Sequence, residues 1–236
     1  MPAERQAWAD ERARMVEWQL RRRGIGDERV LAAMGSVPRE LFVPPELRDA
    51  AYADAALPIG AGQTISQPYM VALICEQLAL RGGERVLDVG TGSGYQAAVL
   101  CELAAEVHTI ERIPELVEGA RANLAAAGYA DRIQLHLGDG TCGVPASAPF
   151  AAIAVAAAAL EAPPALYDQL EQGGRLVVPV GGAEGQWLEV VVRTPEGPAV
   201  LRTVPCRFVP LVVGRQGSGD SRRVRNDGAH EAEISD

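Results

Sequence analysis

The 236-residue chain contains no lysine; all 22 of its basic side chains are arginine. No step of its chemistry can therefore use a lysine nucleophile, a Schiff base or the lysine of a P-loop. Aromatic residues make up only 5%, so alanine and branched aliphatics must fill the core. The 4 cysteines, Cys75, Cys101, Cys142 and Cys206, lie far apart and form no Cys-x-x-Cys pair. They read as reduced thiols of a cytoplasmic protein rather than a disulfide frame or a zinc site. The 3 histidines, His108, His136 and His230, have no ligand spacing with them, so no metal is expected. No apolar run reaches the roughly 18 residues of a membrane span, and the charged stretch from Glu4 to Arg14 is unlike a signal peptide. Acidic residues number 31 and the net charge is −9, which argues against a nucleic-acid binder. No obvious apolar helix face is left over, so a monomer is the default expectation.

What is present is 48% hydrophobic and 22% charged, the composition of one globular domain with additions. The reading places a single domain over residues 1–213, with an N-terminal helical, substrate-side segment (1–82) and a cofactor-binding core (83–213). Residues 3–23 predict a surface helix ended by Gly24 and Gly26, and Asp27 predicts the N-cap of a second helix reaching Met34. The segment with Pro38, Pro44, Pro45 and Pro58 predicts neither helix nor sheet. Ser66 predicts the cap of a helix with Pro68 in its first turn, running to about Leu80 before Gly82-Gly83. From Arg85 short apolar strands alternate with helices, the pattern of a doubly wound α/β fold with a parallel sheet covered on both faces. Two last strands, near 187–193 and 200–209, predict antiparallel pairing at the sheet edge. Residues 214–236 are polar and predict a disordered tail.

Three acidic motifs stand at successive predicted strand ends. The first is Asp88-Val89-Gly90-Thr91-Gly92-Ser93-Gly94. Its glycines permit a tight turn and close approach of a ligand to the main chain, and the following helix offers free N–H groups. A dinucleotide fingerprint needs a different glycine spacing; this one looks like the first motif of S-adenosyl-L-methionine-dependent methyltransferases. The second is Glu111, roughly 20 residues on, where Rossmann-like folds place an acid for ribose hydroxyls; alone it reads equally as a solvated charge. The third is Gly138-Asp139-Gly140. Its acid can accept from an adenine amino group, or simply form an Asp-Gly turn. Together they converge on the carboxyl edge of the sheet, where open α/β sheets bind ligands.

Ahead of these lies Gln63-Thr64-Ile65-Ser66-Gln67-Pro68-Tyr69-Met70, which resembles the signature of protein-L-isoaspartate O-methyltransferases. The resemblance continues through Leu57-Pro58-Ile59-Gly60, the glycine loop to Ala98, Ile110-Glu111-Arg112, Gly138-Asp139-Gly140, Gly173-Gly174-Arg175-Leu176 and Phe208-Val209-Pro210-Leu211. It spans roughly residues 15–212. It implies a Rossmann-like methyltransferase sheet with S-adenosyl-L-methionine as cofactor. It also implies methylation of the free α-carboxylate of L-isoaspartyl residues in damaged peptides and proteins, followed by succinimide closure and partial return to aspartate. Ser66 falls at the family's active-site serine; Thr64 and Ile65 help enclose the site, and Gln186 matches loosely a substrate-side residue. Asp88, Gly90, Gly92, Gly94, Glu111, Arg112, Asp139 and Gly140 fall at cofactor-binding positions. The chemistry agrees. A carboxylate is already ionised at pH 7 and needs no general base, only a donor such as a serine hydroxyl to orient it, with helix-start N–H groups favouring the anion.

The chain departs from the family pattern in its fourth core strand. Ala151 stands where the family usually has Asp, Ala156 where Thr is frequent, and Leu160 near a usual Pro. Two other readings follow: a relative acting on a normal aspartate of one dedicated peptide, and a protein that binds the cofactor without turnover.

Overall fold

The computed structural model describes residues 2–214, with side chains from Gln6 onward. Its centre is a seven-stranded sheet of order β5-β4-β3-β6-β7-β8-β9. The strands are β3 (Arg85–Val89), β4 (Glu106–Glu111), β5 (Ile133–Leu137), β6 (Phe150–Val155), β7 (Leu170–Gly182), β8 (Gly185–Thr194) and β9 (Gly197–Cys206). The pairs from β5 to β7 are parallel, while β7–β8 and β8–β9 are antiparallel. The chain builds outward from β3 to β5, then returns to lay β6 on the other side of β3. That reversal opens a crevice between β3 and β6 at their carboxyl ends, where ligands of such sheets bind.

Both faces are covered, and the sequence shows why: apolar residues fill both faces of the central strands, successive ones pointing to opposite sides. Val86, Ala152 and Val177 pack in one buried cluster, and their neighbours Leu87, Ile153 and Val178 in another. The first cluster also takes in the N-terminal helices and helices α3 (Pro68–Leu78) and α4 (Tyr95–Cys101); the second contains Leu166 of the short α6 (Pro164–Asp168). Helix α5 (Pro114–Ala126) links β4 to β5.

Several local expectations change. The first helix is α1 (Pro2–Arg14), continued by a π-helical stretch from Met15 to Leu20 and a 3-10 turn to Arg23. Met15 and Leu20, the two ends of the π-helical stretch, are both fully buried. The second helix, α2 (Glu28–Ser36), is capped by Asp27, whose carboxylate accepts from Arg29 N at 2.8 Å and Val30 N at 3.4 Å. The proline-rich segment, expected to hold neither helix nor sheet, contains both. It holds 3-10 turns at Arg39–Leu41 and Pro45–Ala50, then a two-stranded hairpin of β1 (Leu57–Gly60) and β2 (Gln63–Ile65). Pro58 is exposed on this isolated ribbon, the setting in which a strand tolerates a missing N–H. Helix α3 starts at Pro68, so its cap position is Gln67 and not Ser66. It ends at Leu78 because Ala79 takes a left-handed conformation, φ 53°, before the glycines are reached. The predicted tail lies outside the described residues except for Gly214.

Candidate functional site

The glycine loop leaves β3 at the crevice. Gly90 adopts φ 92°, and a Cβ there would stand 3.6 Å from the Cβ of Ala156, the first residue after β6. Ala156 N donates to Val89 O at 2.8 Å, so the two strand ends are locked side by side beneath an open main-chain floor. Above this floor lies an open cleft, the kind of concave surface in which small ligands bind. Gly90, Gly92, Glu111, Arg112 and Gly140 line it from the sheet side. Thr64, Ile65 and Ser66 line it from the hairpin, and Val209 to Val212 close it from the C-terminal side.

Glu111 is nearly buried and works within the protein as well as facing the cleft. Its Oε2 accepts from Gly92 N at 3.0 Å, and its Oε1 from Arg112 N at 2.8 Å and Ile113 N at 3.0 Å. This carboxylate thus clamps the glycine loop to the start of the next helix. An oxygen has two lone pairs, and Oε2 keeps one for a ligand hydroxyl.

Four expected site residues do not line the cleft itself. Asp88 is fully buried beneath the loop and does not reach the cleft. It accepts from Gln96 Nε2 at 2.7 Å and Thr109 Oγ1 at 2.9 Å, and Thr109 continues to the hydroxyl of Thr91 at 2.6 Å. Asp88 supports the loop from below rather than touching a ligand. Burial pushes its carboxyl up to about 7, the two hydrogen bonds opposing and the nearby Glu111 charge adding to the rise. Gly94 also stays out of the cleft. It caps α4 with φ 92°, and a side chain there would press on Leu124 of α5 at 3.1 Å. Asp139 stands beside the cleft with both oxygens engaged: Oδ1 by Thr141 N (2.9 Å) and Oγ1 (2.7 Å), Oδ2 by Gly214 N at 2.6 Å. Burial raises its pKa, but those hydrogen bonds and the Arg112 charge outweigh it and hold the carboxyl below its usual range. A ligand amino group must share Oδ2 with Gly214. Gln186 spends its amide on one residue, donating to Phe208 O at 3.2 Å and accepting from Phe208 N at 2.6 Å. It pins the C-terminal segment and does not reach the Ser66 cleft.

Ser66 itself sits at a junction. It lines the glycine-loop cleft and also a second, open cleft walled by Tyr69, Met70, Val204 and Phe208. Its hydroxyl has no hydrogen-bond partner among the described residues. The helix start behind it offers little to an anion: Pro68 has no N–H, and Met70 N donates to Gln67 O at 3.0 Å. Tyr69 packs under Arg23, which pairs with Asp54 at 2.7 Å. Sequence reasoning missed Gln96 and Thr109 as supports of the loop. The available signal was a polar residue, Thr109, in the middle of a buried strand. The C-terminal tie was missed as well: Arg112 Nε donates to Gly214 O at 2.9 Å, so Gly214, assigned to a disordered tail, is held at both its N–H and its carbonyl.

Residues 11–216 match the family model of Protein-L-isoaspartate(D-aspartate) O-methyltransferase. The chain belongs to this family. The protein-L-isoaspartate O-methyltransferase of Methanoculleus marisnigri is 56% identical over 205 residues, 86% of this chain and 91% of that one. The enzyme of the same name from Methylorubrum populi is 56% identical over 209 residues, 88% and 98% of the two chains. Among solved structures, a protein-L-isoaspartate O-methyltransferase superposes with a TM-score of 0.75 at 29% identity, over 84% of this chain and 65% of that one. A Plasmodium falciparum chain described as a beta-aspartate methyltransferase, crystallised with S-adenosyl-L-homocysteine, gives 0.75 at 27% identity over 85% and 98%. No helix among the described residues is long and apolar enough to cross a membrane.

Proposed function

We propose that this methyltransferase transfers the methyl group of S-adenosyl-L-methionine to the free α-carboxylate of L-isoaspartyl residues in peptides and proteins. Succinimide closure of the ester then begins the return to aspartate. The observation that carries the reading is the position of Ser66 between two clefts, one floored by the glycine loop and one open to solvent along Tyr69 and Phe208.

The residues present suit the cofactor. A bare main-chain floor at Gly90 and Gly92, an acid with a spare lone pair at Glu111, and a close strand end at Gly140 form a cradle that added side chains would fill. S-adenosyl-L-methionine, when bound, supplies a methyl group on a sulfonium leaving group. The chain's part is alignment and exclusion of water. Glu111 and Asp139 hold the nucleoside end. Ser66 donates its free hydroxyl to one oxygen of the acceptor carboxylate and leaves the other oxygen to attack. Thr64 and Ile65 wall the junction, and Val209 to Val212 cover it.

The test uses methyl-labelled S-adenosyl-L-methionine and two peptides that differ only in isoaspartate against aspartate. Base-labile label should appear on the isoaspartyl peptide alone. Ser66→Ala should lower turnover about 100-fold, the usual loss of one oriented donor, with S-adenosyl-L-homocysteine affinity unchanged by calorimetry. Label on the aspartyl peptide, or on neither, refutes the reading.

A further inference from the structure

Arg39 is the largest fully buried side chain among the described residues, and the activity just described makes no use of it. Burial of a charge is expensive unless it is paired, yet no carboxylate pairs with this guanidinium among the described residues. The adjacent Glu40 is engaged by the hydroxyl of Tyr52 instead. Arg39 spends its donors on two carbonyls. Its Nε donates to Ala51 O at 2.7 Å and its Nη2 to Ser66 O at 2.8 Å. The plane lies over the ring of Tyr95, 4.7 Å from its centroid, and Nη1 is buried without a partner.

The Ser66 carbonyl is a particular choice of acceptor. Before it, the chain is fixed by the hairpin, where Ile65 pairs with Leu57. After it, the Gln67 amide donates to Asp54 Oδ1 at 2.8 Å, and α3 begins. Ser66 is the link between the two. Its side chain is free and it has no place in strand or helix, so the hydrogen bond from Arg39 is what sets its peptide plane. Ala51 ends a 3-10 turn, so Arg39 gauges the serine against a separate, rigid piece of the N-terminal segment. A planar fork with diverging donors spans these two carbonyls; a lysine ammonium is a single point and cannot.

We propose that Arg39 is a positioning residue for the reaction: by clamping the Ser66 carbonyl it aims the Ser66 hydroxyl at the acceptor carboxylate, without itself touching the reacting atoms. This rests on the function proposed above. Small misplacements of an aligning group are costly to rate, so the effect belongs in kcat for the peptide and not in cofactor affinity.

The experiment is a double-mutant cycle. Arg39→Lys and Arg39→Gln are each made alone and with Ser66→Ala. Each variant is assayed for kcat and KM on an isoaspartyl peptide, for S-adenosyl-L-homocysteine affinity by calorimetry, and for thermal midpoint. Arg39→Lys should lower kcat about 30-fold, with nucleotide affinity within about twofold. In the Ser66→Ala background the same replacement should change kcat less than about threefold, because the group it aims is gone. Equal losses in both backgrounds, a parallel loss of nucleotide affinity, an unchanged kcat, or unfolding of both replacements overturns the proposal. Wild-type protein inactive on the isoaspartyl peptide defeats the proposed function and this inference with it. An active wild type with an additive cycle defeats the inference alone.

Discussion

Replacing Asp88 with Asn tests whether the carboxyl beneath the glycine loop is neutral in the folded protein. Asp88 is fully buried and its carboxyl is raised from 3.8 to about 7, chiefly by burial. A folded-state pKa above the unfolded value means that folding favours the protonated form. The associated stability is complete below pH 4, where the acid is neutral in both states. It is lost as pH climbs towards 7, because the unfolded chain ionises freely and the folded one does not. A displacement of this size corresponds to about 4 kcal/mol, of which more than half falls between pH 5 and 8. Asparagine keeps the shape without the titration. Its amide can also donate to Gln96 Oε1, which is buried without a partner. Urea denaturation of both proteins at pH 5 and pH 8 should therefore show the Asn variant gaining about 2–3 kcal/mol on the wild type over that interval. The titrations common to both proteins cancel in the comparison. A difference that stays constant within about 0.5 kcal/mol refutes the argument, as does a shift in favour of the wild type. Either would mean that the hydrogen bonds from Gln96 and Thr109 outweigh burial and keep the carboxylate ionised.

Gly140→Ala would place a Cβ 2.7 Å from Val89 Cγ1 at the end of β3. The overpacking should cost about 1–3 kcal/mol in stability, read by denaturation, and should weaken S-adenosyl-L-homocysteine binding in calorimetry, since the strand end is part of the cleft floor. An unchanged affinity would remove Gly140 from the site. Gln186→Leu deletes both hydrogen bonds to the Phe208 main chain, each worth about 1 kcal/mol. Amide exchange in residues 207–212 should accelerate while exchange in β3 and β6 does not; unaltered exchange would mean that other contacts hold the segment.

The parts of this fold that were legible in the sequence are those whose signal is local. The strand starting at Arg85, its glycine loop and the helix after it follow from an apolar run, a glycine pattern and a resumed helical period, and the structure forms them at Arg85–Val89 and Tyr95–Cys101. The hairpin carrying Ser66 was hidden because Pro58 argues against strand. Nothing local reveals that the ribbon is isolated and tolerates it. Ser66 was misread as a cap because its hydroxyl sits next to a Pro-started helix. The spacing is one residue too long, and Gln67, at φ −49° and ψ 137°, takes the cap position. Gly90, Gly92 and Glu111 were found at the cleft because motif and sheet edge coincide. Asp88 and Gln186 were assigned to it on similar grounds, but whether a side chain at a strand end faces ligand or interior depends on partners such as Thr109 and Phe208, distant in sequence. Arg39 and the tie between Arg112 and Gly214 were invisible for the same reason.

The cleft that receives Ser66 has a temporal consequence. Its hairpin wall precedes all seven strands of the main sheet in the chain, but its cover, Val209 to Val212, follows them. At about 5–20 residues per second, a ribosome needs roughly 7–30 s to pass from one to the other. During that interval the nascent chain can form the hairpin and dock the first strands, yet the serine faces an unfinished wall. The site therefore becomes complete only once Val212 has been made and the last strands have docked.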